Sequence, residues 1–168
     1  MSVSPVLAET VIAPSLPALY QRHPQLQVEV MADDRMSDMA RDGVDIAIRT
    51  GAHQSEQLVA LPLAEFGRRL CAAPAYLAQW GMPQHPDELG QHRLITHSAN
   101  PALNRWPYAA GRGFARGAVL LARGHTRSDN SAITMALALQ GVGIARLNDL
   151  LSREHLARGA LVPVLDDW

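Results

Sequence analysis

There is no lysine in this chain. All 15 basic residues are arginines, set against 16 acidic residues, and the formal net charge is −1. Only Arg68 and Arg69 are adjacent, so no basic stripe marks a nucleic-acid surface, and no direct nucleic-acid binding is expected of this polypeptide. Cysteine is nearly absent as well. Cys71 stands alone, which excludes an internal disulfide and fits a reducing compartment. No apolar run approaches the roughly 18 residues of a membrane span. The opening MSVSPVLAET has no basic n-region and does not read as a signal peptide. A cytoplasmic location with no membrane partner is therefore expected. No internal repeat and no low-complexity segment is found.

The marks of common catalytic sites are missing too. No G-x-S-x-G elbow occurs. Gly141 and Gly143 follow a helix, and Arg146 stands where a third glycine would complete a dinucleotide fingerprint. The 7 histidines, at 23, 53, 85, 92, 97, 125 and 155, show neither H-E-x-x-H nor Cys–His ligand spacing. Met36 and Met39 read as a core pair. Cys71 lies inside an apolar strand and reads as a buried, inert thiol. No enzyme activity, metal or cofactor is expected.

What is present is ordinary globular material. The 168 residues are 48% hydrophobic and 18% charged, enough core for one domain or two small lobes. Val6 to Arg22 reads as a helix, with Pro14 and Pro17 predicting a kink or a late start. LQVEV alternates and reads as a strand. Asp33 or Asp34 then caps a short helix carrying Met36 and Met39, and DIAIR is the next strand. LVALPL and RRLCAAP follow as extended segments. Prolines 74, 83, 86, 101 and 107 break up the middle into short helical turns, a strand RLITH and a glycine-rich hairpin, GRGFARGAVLL. Asp129 or Asn130 caps SAITMALALQ, apolar on nearly every side and so predicted buried. VGIARL (strand), NDLLSREHLARG (amphipathic helix) and ALVPVL (strand) complete the chain. The alternation argues for an α/β fold with parallel strands.

Taken in order, these landmarks resemble the effector-binding domain of LysR-type transcriptional regulators. The resemblance is carried by P-S-L-P-A-L-Y-Q-R-H-P, by D-D-R-M-S-D-M-A-R-D-G-V-D-I-A-I-R-T-G, and by L-C-A-A-P-A-Y-L-A-Q-W-G-M-P-Q-H-P-D-E-L-G-Q-H-R-L-I. It continues through N-R-W at 104–106, A-L-Q-G-V-G-I-A-R-L, and L-A-R-G-A-L-V-P-V-L-D-D-W. It implies two Rossmann-like lobes joined by two crossover strands, as in type 2 periplasmic binding proteins. Lobe I would comprise 1–70 plus 145–168, and lobe II 71–144, with the effector in the cleft between them. The family's winged helix-turn-helix and a final strand and helix are absent from this sequence, so the expectation is of a fragment whose parent binds DNA through the missing N-terminal domain. The resemblance also implies a homodimer through lobe I, with Leu19, Leu26 and Val28 as contacts, and a tetramer in the full-length protein. A solute receptor of a transport system would share the fold, and remains the alternative.

Candidate effector contacts follow from the same resemblance. Arg49, with Thr50 and Gly51, ends the DIAIR strand where the family faces its cleft, and could hold an anionic effector bidentately. Its other reading is an ion pair with Asp33, Asp34 or Asp45. Ser4, Pro5 and Val6 precede the first helix. Val6 falls where the family often has a hydroxyl residue, and Ser4 reads equally well as a helix cap. Thr96, His97 and Ser98 end the RLITHS strand, and Asn130 and Ser131 open the apolar helix. Both segments line the cleft in the family. Surface or capping roles remain open for each.

Overall fold

The computed structural model describes residues 1–34, 42–50, 58–108 and 118–167, which fall into two units, Met1–Gly67 and Arg68–Trp168. In the first unit three two-residue strands, β1 (Ser2–Val3), β2 (Met31–Ala32) and β3 (Ala47–Ile48), form a parallel sheet in the order β2-β1-β3. Parallel neighbours need a crossover, and one is a helix in three parts: α1 (Pro5–Leu7), a π-helical stretch (Ala8–Ile12) and α2 (Ala13–Arg22). The prolines explain the middle part. Pro14 and Pro17 bring no N–H, and just before them the Ala13 N–H reaches back five residues to the Ala8 carbonyl, which widens the turn rather than breaking the helix. The helix thus starts earlier than the prolines suggest, with Pro5 at its first position, where a missing N–H costs nothing.

LQVEV is a correction. No strand is assigned to 26–30, and pairing to β1 begins at Met31. The short helix expected around Met36 and Met39 lies outside the described residues. LVALPL, expected to be extended, has no strand assigned at 58–63 among the described residues, and Val59, Leu61 and Leu63 are all strongly exposed.

The second unit holds a five-stranded sheet, β10-β4-β9-β5-β8. Its members are β4 (Arg68–Ala72), β5 (Leu94–His97), β8 (Thr126–Ser128), β9 (Ile144–Asn148) and β10 (Val162–Val164). β5 is parallel to β8 and β9, whereas β4 is antiparallel to β9 and β10. β9 and β10 thus share one sheet with β5 and β8. Helices α3 (Pro74–Trp80), α4 (Ser131–Leu139) and α5 (Asp149–Ala157) and two 3-10 turns connect the strands. The expected hairpin has its two arms, β6 (Arg105–Pro107) and β7 (Val119–Leu121), paired antiparallel. Its glycine-rich tip, 111–117, is outside the described residues.

Alternation explains the core. Successive strand residues point to opposite faces, and both faces of this sheet are covered. Ala72, Leu94 and Ile144 pack on one side with Tyr76, Leu89 and Trp106. Cys71, Ile95 and Ala145 pack on the other with Leu147, Ala138 and Leu161. The apolar run of RLITH is what a doubly covered strand requires. Helix α4 is less enclosed than its composition predicts. Thr134 and Ala138 are buried, but Ile133 is 54% exposed. Among the described residues no helix is long and apolar enough to cross a membrane.

Candidate functional site

Two sets of expected contacts belong to separate units, and each has its own geometry. In the first unit, β1 runs into Ser4, the N-cap of α1. Its side chain makes no capping bond, and its Oγ is buried with no hydrogen-bond partner among the described residues. Val6 is 4% exposed and belongs to the core of its unit. Arg49 follows β3. Its guanidinium donates to the Asp33 carbonyl at 2.9 Å and to Ser2 Oγ at 2.5 Å, so it ties the end of β3 to β1 and to the turn after β2. Burial lowers its pKa, while the charges of Asp33 and Asp34 act in the opposite direction. Thr50 is exposed, and Gly51 lies outside the described residues.

In the second unit, β5 ends on Thr96 and His97, 3% and 5% exposed. Thr96 packs against the chain at Gly124, where a Cβ would stand 2.1 Å from Thr96 Oγ1. His97 is held at three points. Its backbone N–H donates to Asn104 Oδ1 at 2.7 Å, its carbonyl accepts from Asn104 Nδ2 at 2.7 Å, and its Nδ1 accepts from the Asn100 N–H at 3.0 Å. An accepting Nδ1 places the proton of the neutral ring on Nε2. Ser98 is exposed, and its N–H donates to the Ser128 carbonyl.

Asn130 is committed to its helix. Its Oδ1 accepts from the N–H groups of Ala132 and Ile133 at 2.8 and 3.1 Å, the capping arrangement its residue type favours. Its backbone carbonyl accepts from Thr134 Oγ1, and Ser128 Oγ bonds its backbone on both sides. Ser131 begins the helix. His97 and Ser131 meet on one small cavity of about 20 Å³, together with Thr134, Arg68 and Arg146. A space of that size holds about one water. Of the expected contacts in this unit, the structure thus brings His97 and Ser131 together, turns Thr96 to Gly124 and occupies Asn130 as a cap. Sequence reasoning missed Asn104, Thr134, Arg68 and Arg146. Of these, only N-R-W at 104–106 carried any signal.

Cys71 is fully buried, and burial pushes its thiol up to about 12. At pH 8 that leaves about one thiolate in ten thousand. N-ethylmaleimide is therefore expected to leave the folded chain unlabelled over an hour at pH 8 and to label it once denaturant is added. Rapid native labelling would contradict the burial. Among the described residues no group of three or more His, Cys, Asp or Glu side chains could hold a metal ion.

Comparison with known proteins adds an independent line. The family described as the LysR substrate binding domain matches residues 1–168. A probable HTH-type transcriptional regulator, LtrA of Klebsiella pneumoniae, is 32% identical over 168 residues, which is 100% of this chain and 53% of LtrA. Among solved structures, the regulatory domain of CrgA, a LysR-type transcriptional regulator from Neisseria meningitidis, superposes with a TM-score of 0.87 at 27% identity, covering 99% of this chain and 79% of that one. Full-length AphB, a virulence activator of Vibrio cholerae, superposes with a TM-score of 0.83 at 28% identity, covering 99% of this chain and 56% of AphB. The chain spans about half the length of the curated relatives it matches.

Proposed function

The chain belongs to the family of LysR substrate-binding domains, with their type 2 periplasmic-binding-like fold, and from that premise we propose that it is the effector-sensing part of a DNA-binding transcriptional regulator. The observation that carries the reading is the match of residues 1–168 to the LysR substrate binding domain; His97 and Ser131, 34 positions apart, meet on one small space within it. The relatives named above are regulators rather than enzymes or transport receptors. Operator contact belongs to a helix-turn-helix region of the kind the relatives' names describe. Residues 1–168 carry a net charge of −1, and on their own they are expected to give no salt-sensitive gel shift. A regulator of this kind works in the cytoplasm.

The effector is a small molecule that engages the end of β5 and the start of α4; within the first unit, Ser4 and Arg49 are candidate contacts in their own right. Ser4 supplies a buried hydroxyl without a partner, and Arg49 a partly desolvated positive charge. An anionic effector fits that charge. A thermal-shift screen against small carboxylates, aromatic acids and amino acids identifies it. Arg49→Ala then weakens its binding by about 1.5–3 kcal/mol, the range for a hydrogen bond to a charged group, and Ser131→Ala weakens it by less. A double-mutant cycle between the two decides whether one ligand touches both residues. An affinity unchanged by Arg49→Ala returns Arg49 to its structural tie alone.

Self-association uses the first unit. Helix α2 has no buried residue, and Val11, Tyr20, Leu26, Val30 and Met31 are 37–45% exposed. Leu19 and Val28 are half-buried. Apolar surface of this kind favours an isologous dimer. Leu26→Glu is expected to shift sedimentation toward the monomer. A monomer at every concentration of the unmutated chain would count against it.

A further inference from the structure

One face of the second unit's sheet breaks its own pattern. Ala72, Leu94 and Ile144 on this face are core. Two residues further along β9 the same face carries Arg146, and along β4 it passes through Leu70 to Arg68. The register sets Arg146 opposite Leu70 and Arg68 opposite Asn148, so the two arginines are diagonal neighbours on one surface. Arg146 makes no hydrogen bond or ion pair among the described residues. Burial and the charge of Arg68 both lower its pKa. Arg69 is held by Asp149 at 2.9 Å and Asp166 at 3.6 Å; Arg69 and Asp166 also line the cavity on this face, where the Asp166 charge is met by Arg69.

A cavity of about 130 Å³ opens on this pair. It is much roomier than the space beside His97 and Ser131, which is about 20 Å³, and it has volume for an organic molecule rather than for single waters. Arg68 and Arg146 stand on one side of it, and Leu89, Trp106 and Val164, none more than 3% exposed, form its floor. Leu165 forms part of the wall with φ at 54°, the only non-glycine with positive φ among the described residues. A branched side chain adopts that backbone only where its surroundings hold it there.

We propose that this cavity takes a small monocarboxylate with a compact apolar body; it shares Arg68, Arg146 and Trp106 with the space beside His97 and Ser131 and differs from it in its apolar floor, so the proposal rests on the effector reading of this unit. The carboxylate lies on the guanidinium groups of Arg68 and Arg146, whose planar forks match it in pairs of hydrogen bonds. The body lies on Leu89, Trp106 and Val164. The floor disfavours phosphate or sulfate, which would leave polar oxygens against apolar side chains.

The test is calorimetric titration of the chain with phenylacetate, with phenylacetamide and sulfate as separate arms. Phenylacetate is expected to bind, and the neutral amide and sulfate at least about tenfold more weakly. Arg146→Gln and Arg68→Gln each cost about tenfold or more in phenylacetate affinity, while Arg153→Gln, on the exposed side of α5, changes nothing. Arg146→Lys, which retains the charge but not the planar fork, serves as a second variant that also weakens binding. Amide spectra locate the ligand. Shifts at Leu120 and Val164, which line this cavity alone, support the site. Shifts confined to Thr96–Ser98 and Ser131 assign phenylacetate to the effector residues and overturn it, as do equal affinities for acid and amide, no binding at millimolar concentration, or unchanged binding in both glutamine variants.

Discussion

Gly143→Ala is expected to cost about 3 kcal/mol of folding stability, the upper end of the range for forcing extra volume into a packed interior. A Cβ at Gly143 would stand 2.2 Å from the Arg93 carbonyl oxygen and 2.9 Å from its carbon. Neither neighbour is a side chain that could swing away. The next residue, Ile144, donates its N–H to that same carbonyl at 2.8 Å, and β9 pairs with β5 from Ile144 onward. Making room for one methyl group therefore means separating two strands at the point where they join. Gly90→Ala is the control, since nothing lies within 4 Å of its added Cβ; it should change stability by no more than about 0.5 kcal/mol. Urea unfolding followed by far-UV circular dichroism measures both. A Gly143→Ala midpoint equal to that of the unmutated chain would falsify the close approach.

Asn104→Ala is expected to cost a similar amount, about 3 kcal/mol, by a different route. The side chain both donates to and accepts from the backbone of His97, at 2.7 Å each way. Its own carbonyl accepts from the Ala122 N–H. Alanine leaves the N–H and C=O of a 5% exposed residue without partners, and each orphaned backbone group costs about 1–3 kcal/mol. Water entering the gap recovers some of that. Asn104→Asp separates the two bonds. It keeps the acceptor for the His97 N–H and loses the donor to the His97 carbonyl, so it should fall between the unmutated chain and alanine. Because the clamp fixes the end of β5, Asn104→Ala should also broaden the amide resonances of Thr96, His97 and Ser98. A loss under about 1 kcal/mol, with those resonances unchanged, would mean that the clamp contributes little in solution.

The two variants also mark what can be read from a sequence. Elements with a local cause were legible: Asp129 or Asn130 before an apolar stretch announces a helix cap, which the structure gives to Asn130, and Leu94–His97, bounded by turns, announces a strand. Elements defined by their partners were not. Ser2–Val3 is too short to show a period, and Thr126–Ser128 is polar and nearly exposed at its centre, so neither strand has a pattern of its own. LQVEV has the pattern, yet pairing with β1 begins only at Met31. The site divides in the same way. Ser131 and His97 could be singled out because each ends or begins a recognisable element. Nothing local distinguishes Arg146 from the other arginines. Only the β4–β9 register sets it beside Arg68, and that register joins residues whose separation no local pattern encodes.

That same pairing has a consequence on the ribosome. Arg69 and Asp149, linked across the start of the β4–β9 ladder, are 80 residues apart, and β4 lies between the last two strands of the unit to be made. At a synthesis rate of about 5–20 residues per second, β4 emerges and then waits about 4–16 seconds for its first neighbour. Through that interval Leu70, Cys71 and Ala72 have neither a strand beside them nor a finished core beneath them. A nascent chain stalled before Ile144 should expose this stretch to chaperones and proteases, and the same chain released past Val164 should not. An inner strand of the finished sheet is for those seconds without a neighbour on either side.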